Sequence, residues 1–425
     1  MKAPENVTAC VVDYGNFLCL AEKLGETYRK VYYYSPHETE YREVARCVLG
    51  EGIPTIERCN EPLDLIGKVD LWVFPDIGFT GLQRHLVAQG AAVWGSRDVT
   101  NIELERSTFL KVLKEVGLPV APSTVVNGLG SLTTLLKKAH DKWVKVDCYR
   151  ENMETWHHID YEHSLPMLRH LASTFGGASE SITFVVQDPI PNAQECGYDG
   201  FCIDGRFPRV SFQGYEKKNE LYLGSALPAR EHPKAVQMVN AAMAPFLKAQ
   251  RYRNFFATEI RDEYFIDPTP RMAGQSQEHL LETCTNLADI IWAGANGELI
   301  EPEFAAKFAA SATLHYKEVL GENWKALTIP QGIQRWFKLA NHCRVGETYH
   351  FPPGRNDEVG VVTGYGNSVE KAIGAVQAHL EAVKDEPIEA NLKEFADLLA
   401  DIEKAQAAGD KFSDKPLPSA EVVLK

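Results

Sequence analysis

Residues 254–278 read NFFATEIRDEYFIDPTPRMAGQSQE, and this stretch predicts a β-hairpin. An alternating, β-prone run is followed by a polar turn and a second short strand, at residues 255–260, 261–263 and 264–266. Side chains along a strand point alternately to its two faces. Glu259 can therefore share a face with Asp267 and Thr269, which stand two residues apart on the second strand.

Two carboxylates and a hydroxyl on one face make a site for a hard cation. Mg²⁺ takes oxygen ligands and commonly binds through one or two carboxylates, with substrate phosphates and water completing its shell. Mn²⁺ accepts the same ligand types. Arg271, two residues beyond Thr269, would add a planar fork of donors for a phosphate or carboxylate. The alternative is an ordinary surface hairpin with charged edges.

The composition is that of a soluble globular protein with two to four domains. The chain has 425 residues, of which 44% are hydrophobic and 24% charged. Its formal net charge of −14 argues against an extended nucleic-acid surface or an anionic-membrane surface. No apolar run reaches membrane-spanning length, and no signal peptide is evident. Nine cysteines without a CxxC pair indicate reduced thiols in the cytoplasm.

Residues 6–100 alternate between strand and helix patterns, which predicts a small parallel sheet covered by helices. Ligands of open α/β sheets bind at the carboxyl ends of the strands. Asp13, Asn16 and Asp76 follow two of these strands and are candidate substrate contacts, with turn and cap chemistry as the alternative for the two aspartates. The turn after the first strand reads DYGNFL rather than G-x-G-x-x-G, which excludes a dinucleotide site of the usual kind.

The remaining pattern predicts further elements in a fixed order. The first three are a helix closed by Gly-x-Pro (103–116), a strand carrying Lys145 between apolar neighbours (143–147) and an apolar strand before a Pro-rich turn (181–186). Two helices (277–293 and 304–316) follow, and then a glycine-containing strand and turn (359–368) that lead into a last helix (369–383).

This order resembles the ATP-grasp superfamily over residues 6–383, and within it the phosphoribosylamine–glycine ligases. The run Glu259…Asp267-x-Thr269-x-Arg271 is similar to that family's magnesium hairpin, with Thr269 where the family usually has Asn. The C-terminal strand and helix resemble the last domain of those ligases. The family's glycine-rich lid corresponds to residues 148–154, which contain no glycine.

The resemblance implies a role for each matching residue. The ATP phosphates would be contacted by Arg106, Lys145 and Lys217. Adenine would be contacted by Gln187 or Asp188 and by Ile190, and the ribose by Glu195. The metal would be bound by Glu259, Asp267 and Thr269 of the hairpin. Arg271 and Lys217 would act on the reacting groups. For Arg106, which stands where the family has Lys, an exposed helix arginine is the alternative.

The resemblance also implies an α/β (α+β ATP-grasp) fold in four parts. These are an N-terminal domain (1–100), an ATP-grasp domain (101–300) with its lid lobe at about 120–195, a C-terminal domain (301–383) and a tail (384–425). The expected activity is ATP- and Mg²⁺-dependent joining of a small-molecule carboxylate to an amine through an acylphosphate. The chain could assemble as a homo-oligomer. Two alternatives stay open, a catalytically degenerate nucleotide-binding or interaction scaffold and a kinase on the same fold.

Overall fold

The computed structural model describes residues 1–36, 48–148, 155–190, 195–354 and 356–419. Its strands are, in chain order, β1 (Thr8–Val12), β2 (Lys30–Tyr34), β3 (Glu57–Arg58), β4 (Leu71–Val73), β5 (Ala92–Trp94), β6 (Ser123–Asn127), β7 (Lys142–Val146), β8 (Thr155–His158), β9 (Thr183–Gln187), β10 (Glu195–Ile203), β11 (Val210–Lys217), β12 (Leu221–Pro228), β13 (Arg253–Arg261), β14 (Tyr264–Thr269), β15 (Phe308–His315), β16 (Lys325–Thr328), β17 (Phe337–Leu339), β18 (Cys343–Val345), β19 (Thr348–Phe351) and β20 (Glu358–Gly366). Its α-helices are α1 (Leu18–Gly25), α2 (Thr80–Ala88), α3 (Asn101–Leu104), α4 (Arg106–Glu115), α5 (Leu129–Leu136), α6 (Tyr161–Phe175), α7 (Lys234–Ala249), α8 (Gly274–Gln277), α9 (Leu280–Thr283), α10 (Leu287–Ala295), α11 (Val369–Glu381) and α12 (Phe395–Ala408). In the described ranges no helix is both long and apolar enough to cross a bilayer.

The N-terminal sheet is parallel, with the strand order β3-β2-β1-β4-β5. Every residue of β1 is buried, as its unbroken apolar run predicts for a strand covered on both faces. Because β1 and β4 are neighbours, the turns that follow them meet at one edge of the sheet. These turns carry Asp13 and Asp76, so the predicted parallel sheet brings the two candidate carboxylates together.

A second, antiparallel sheet forms the lid lobe, in the order β6-β9-β7-β8. Helices α5 and α6 cover it, and their contacts centre on the fully buried Leu132, Leu171 and Phe184. Lys145 lies on β7, a strand paired on both sides, so its backbone position is fixed by the sheet.

The largest sheet has eight strands, in the order β14-β13-β10-β11-β12-β15-β20-β17. Strands from both sides of residue 300 belong to it, because β15 pairs with β12 and with β20. The expected division at that residue therefore falls inside one continuous sheet, and the four-part domain organisation stays a prediction. Three further strands, β16, β19 and β18, form a small sheet in the C-terminal part.

Three of the predicted helices differ in the structure: the one at 304–316 is absent, and those at 277–293 and 103–116 are broken into shorter helices. Residues 304–316 contain β15 rather than a helix, because seven of its eight residues are buried between two paired strands and tertiary packing overrides the helix propensity of its alanines. Residues 277–293 form separate short helices, since Cys284 is extended and bridges Phe304. The helix predicted at 103–116 is interrupted at Glu105, whose backbone is extended.

Two glycines on the neighbouring strands β11 and β12 leave space for the ring of Tyr222. Tyr222 lies across Gly214 and Gly224, and its hydroxyl donates to a carboxylate oxygen of Asp199 (2.9 Å). Its ring stacks on His279, with the ring centroids 5.3 Å apart. A β-carbon at Gly214 would overlap the buried ring, which has no space to move into.

Gly214→Ala is therefore expected to destabilise the fold by about 1–3 kcal/mol, the usual cost of overpacking a core. Gly374→Ala in α11 is the matched control, because a β-carbon there meets nothing within 4 Å and a helix gains from alanine. Urea unfolding of both variants measures the difference, and equal stability of Gly214→Ala and wild type would show that the ring is free to shift.

Candidate functional site

The predicted hairpin is confirmed, and its two carboxylates face each other. Strands β13 and β14 are antiparallel, with Glu259 directly opposite Asp267 and Ala257 directly opposite Thr269. A register shift leaves Ile266 as an extra residue beside Asp267. Both carboxylates and the hydroxyl of Thr269 thus project from the same face of the large sheet, as the alternation predicts.

Two basic side chains reach this hairpin from different elements. Arg106, the first residue of α4, is 5% exposed and donates to the carboxylate of Asp267. Lys145 extends from the lid lobe, and its Nζ donates to the Ile266 carbonyl oxygen (3.3 Å). The site therefore lies between the two sheets, and Arg106 is not the exposed helix arginine of the alternative interpretation.

The charges on the hairpin are only partly compensated. Burial, together with Asp267 opposite, raises the pKa of Glu259 to about 7. Burial also opposes ionisation of Asp267, but Arg106 and Lys145 outweigh it and hold the pKa of Asp267 well below its usual range. Burial and the neighbouring Arg106 lower the pKa of Lys145 to about 8. At Asp267 the cations thus outweigh burial, whereas at Glu259 burial and Asp267 outweigh the opposing charges of Lys218 and Lys145.

This donor set fits a divalent cation that brings other ligands with it. Within the described ranges, no three His, Cys, Asp or Glu side chains are grouped so that they could hold a metal ion by themselves. Two facing carboxylates suit Mg²⁺, because Mg²⁺ usually takes its remaining ligands from phosphates and water.

Arg106→Gln is expected to lower the free energy of unfolding at pH 7 by about 3 kcal/mol, because it leaves Asp267 partly buried without its closest cation. The pKa of Asp267 is depressed in the folded state, so the stability it contributes is present at neutral pH and is lost as the pH falls. The difference between variant and wild type should therefore narrow below about pH 4. Urea unfolding at several pH values measures this.

Arg84→Gln is the control for that measurement. Arg84 pairs with Asp98 on the exposed surface, and such pairs contribute little. We expect this variant to match wild type at every pH. A loss in Arg106→Gln that does not change with pH would contradict the assigned ion pair.

Lys217, the last residue of β11, and Lys218, in the turn after it, have different neighbours. Lys217 pairs with Asp401 of α12 (2.6 Å), on the face that packs against the C-terminal helix. Lys218 lies one residue further, and its charge acts on both hairpin carboxylates and on Lys145. Strand alternation from Gly214 through Glu216 could have identified Lys218 in the sequence.

Two further carboxylates stand on the hairpin's face of the sheet. Glu216 was missed by sequence reasoning; burial, with Glu259 and Glu195 nearby, raises its pKa to about 8. Glu195, the predicted ribose contact, begins β10 and is paired with Arg261 of β13 (2.8 Å). The charge of Glu259 raises the pKa of Glu216, and the charge of Glu195 raises the pKa of Glu259, so the three side chains are close together.

The predicted adenine contacts lie at the end of β9. Gln187 pairs across the sheet with Ser123 and Trp143, and the side chain of Asp188 accepts from Lys142 (2.6 Å). Ile190 is partly buried. Residues 191–194, which connect Ile190 to Glu195, lie outside the described ranges, as do residues 149–154 of the glycine-free lid segment.

Arg271 joins the hairpin to the N-terminal sheet. Its Nε and Nη2 both donate to Glu103 (3.0 and 2.9 Å), and its Nε lies 3.7 Å from the Asp76 carboxylate. Asn16 donates to the other oxygen of Asp76 (2.9 Å). Asn16, Asp76 and Arg271 thus lie in one connected group. Asp13, after β1, is close enough for the charge of Asp76 to act on it.

Comparison with solved structures identifies the fold. Phosphoribosylamine–glycine ligase from Thermotoga maritima is similar over 91% of this chain and 98% of its own, with a TM-score of 0.65 and 13% identity. An N5-carboxyaminoimidazole synthetase from Staphylococcus aureus, solved with ADP, matches over 90% and 98% of the two chains (TM-score 0.59, 14% identity). The biotin carboxylase domain of the Hydrogenobacter thermophilus 2-oxoglutarate carboxylase matches over 96% of each chain (TM-score 0.61, 13% identity).

The chain has the ATP-grasp fold. All three of these neighbours are ATP-grasp proteins, and the similarity extends over about nine-tenths of the sequence. No protein-family model and no curated protein sequence matches the chain. At 13–14% identity the likeness establishes the fold, and the activity has to be argued from the side chains described above.

Proposed function

We propose that this ATP-grasp protein is an ATP-dependent ligase that joins a carboxylate to an amine through an acylphosphate. The observation that carries the proposal is the meeting of Lys145 from the lid sheet and Arg106 from α4 at the Glu259–Asp267 carboxylate pair. Cations beside a carboxylate pair, held between two sheets, form a surface that suits a triphosphate with its metal. The structural neighbours include proteins solved with ADP and with MgADP, which supports the same choice of nucleotide.

Glu259 and Asp267 would hold Mg²⁺, or Mn²⁺ in its place, and the hydroxyl of Thr269 would add a third oxygen on the same face. Such an ion neutralises charge that develops on phosphoryl oxygens. Lys145 would bind the phosphates from the lid sheet, Arg106 from α4, and Lys218 from the turn after β11.

The reaction has two balanced steps. A carboxylate oxygen of the substrate attacks the terminal phosphorus of ATP, and the acylphosphate forms as ADP leaves. The amine then attacks the acyl carbon, phosphate leaves with the C–O bond electrons, and the amine proton passes to solvent or a nearby carboxylate. No side-chain nucleophile is needed, so the protein's contribution is positioning and charge stabilisation. Gln187, Asp188, Ile190 and Glu195 would bind the nucleoside.

Hydroxylamine trapping tests the proposal without knowledge of the natural amine. A panel of small carboxylates is incubated with the protein, Mg²⁺, ATP and hydroxylamine, and hydroxamate is measured, because an acylphosphate reacts with this nucleophile. A carboxylate-dependent hydroxamate supports the ligase. A stable phosphate ester would instead identify a kinase, and nucleotide binding without any product would identify a scaffold.

Lys218→Met is expected to lower the rate of that reaction by about a hundredfold, the usual effect of removing one group that stabilises transition-state charge. Lys217→Met is the matched control, because it removes the same charge from the opposite face, where Lys217 pairs with Asp401. The control should keep the wild-type rate. Equal loss in the two variants, or loss in Lys217→Met alone, would return the role to Lys217.

A further inference from the structure

An acidic group of side chains lies where the N-terminal sheet meets the hairpin. Its carboxylates come from four separate elements or loops and are all at least nine-tenths buried: Asp13, Asp76, Glu103 and Glu278. Asp13 and Asp76 follow neighbouring parallel strands and are close enough for each charge to act on the other. The exposed Asn16 donates to Asp76, so this acidic group reaches the surface at that residue.

Asp13 uses only one of its two oxygens. Oδ2 accepts from the backbone N–H groups of Gly15 (3.0 Å) and Phe17 (2.8 Å) and from the Tyr33 hydroxyl (3.1 Å), which is the predicted turn chemistry. Oδ1 is buried and has no hydrogen-bond partner among the residues that the structure describes, and Asp13 is 0% exposed. An ionised oxygen in that position is costly unless a donor reaches it.

The cations that act on the acidic group are already engaged. Arg271 is held by Glu103 and Asp76, and Lys338, whose charge acts on Glu278, donates to Glu282 (2.7 Å). Burial therefore raises the pKa of Asp13 to about 7 and that of Glu278 to about 8. A phosphate would add more negative charge here, whereas an ammonium group would supply the missing donor and the missing charge.

We propose that Asp13 and Asp76 form the binding site for the amine substrate and that this substrate is a primary amine without a phosphate group. The inference rests on the proposed ligase function and specifies its amine half-site. Position supports it, because Arg271 connects Asp76 to the hairpin and lies close enough to Asp267 for their charges to interact. An amine bound at Asp76 would thus be next to the place where the acylphosphate forms.

Three probes with one hydrocarbon chain and different head groups test the site: n-butylammonium, butan-1-ol and monobutyl phosphate. Ligand-observed NMR measures their binding to the full chain saturated with Mg²⁺ and a non-hydrolysable ATP analogue. We expect only the ammonium probe to bind, with at least tenfold weaker binding in Asp13→Asn and in Asp76→Asn. Asp70→Asn, at the opposite edge of the same sheet, is the control and should bind as wild type.

If Asp13→Asn fails to fold, Asn16→Lys replaces it, because Asn16 is exposed and a cation there should repel the ammonium probe at least tenfold. Preference for monobutyl phosphate, or ammonium binding that none of these variants weakens, would overturn the inference. Neither result would contradict the proposed ligase function if the ATP analogue still binds. Failure of the analogue to bind contradicts the proposed function itself, and the probes can then be measured without it.

Discussion

Glu259→Gln is expected to lower Mg²⁺-ATP turnover by about a thousandfold, the equivalent of about 4 kcal/mol of transition-state stabilisation. The substitution keeps the shape of the side chain and removes the carboxylate charge that faces Asp267. Glu259 stands opposite Asp267, so its loss would leave the metal with one carboxylate and an uncharged amide. Phosphate release from ATP with a reactive carboxylate measures the effect.

The same substitution should not destabilise the protein without nucleotide. The pKa of Glu259 is raised by burial, so the folded state holds this proton more tightly than the unfolded state does. Its contribution to stability is complete below the unfolded pKa and is lost as the pH rises through about 7. At pH 8 the glutamine variant should therefore melt at the wild-type temperature or a few degrees above it.

Glu263→Gln is the control for both measurements, because Glu263 lies on the exposed turn of the same hairpin. We expect wild-type turnover and wild-type melting for it. A Glu259→Gln variant that turns over ATP normally would place the metal site elsewhere. A large loss of melting temperature would show that Glu259 is a structural residue.

Lys145→Met is expected to weaken binding of an ATP analogue by about ten- to a hundredfold, because a hydrogen bond to a charged group contributes about 1.5–3 kcal/mol. Lys145 connects the lid sheet to the hairpin, because its Nζ donates to the Ile266 carbonyl oxygen. Calorimetric titration with the analogue measures the loss.

The pH dependence provides a second measurement on the same residue. Burial and Arg106 lower the pKa of Lys145 to about 8, so wild-type protein should bind the analogue less tightly as the pH rises above 8 and the ammonium loses its proton. Lys145→Met should lack that dependence. Lys138→Met, at an exposed position before β7, should behave as wild type in both respects. Equal affinity of Lys145→Met and wild type would remove Lys145 from the site.

The hairpin and the parallel sheet could be predicted because their signals are local. Alternation and a polar turn fix which face Glu259 and Asp267 share, and an unbroken apolar run fixes β1 as a buried strand. The charge on Arg106 could be anticipated, but its partner could not, because Asp267 is 161 residues away in the sequence. Long-range pairing of this kind depends on how the elements pack.

The failures have the same origin. Residues 304–316 read as a helix because their composition favours one, yet β15 is needed to continue a sheet whose other strands are distant in sequence. The sequence does not show that the side chain of Lys217 pairs with Asp401 of α12, and this pair is the reason for proposing Lys218 as the phosphate contact. The contacts of Arg271 with Glu103 and Asp76 are likewise not visible in the motif, and its role at the reacting groups stays a prediction.

The most direct test of the nucleotide site at the hairpin is a calorimetric titration of the full chain with a non-hydrolysable ATP analogue, with and without Mg²⁺. The site described here predicts tight binding that requires Mg²⁺ in wild type, and loss of that Mg²⁺ requirement together with weaker binding in Glu259→Gln. Binding that is the same with and without Mg²⁺, or that Glu259→Gln leaves unchanged, would contradict it.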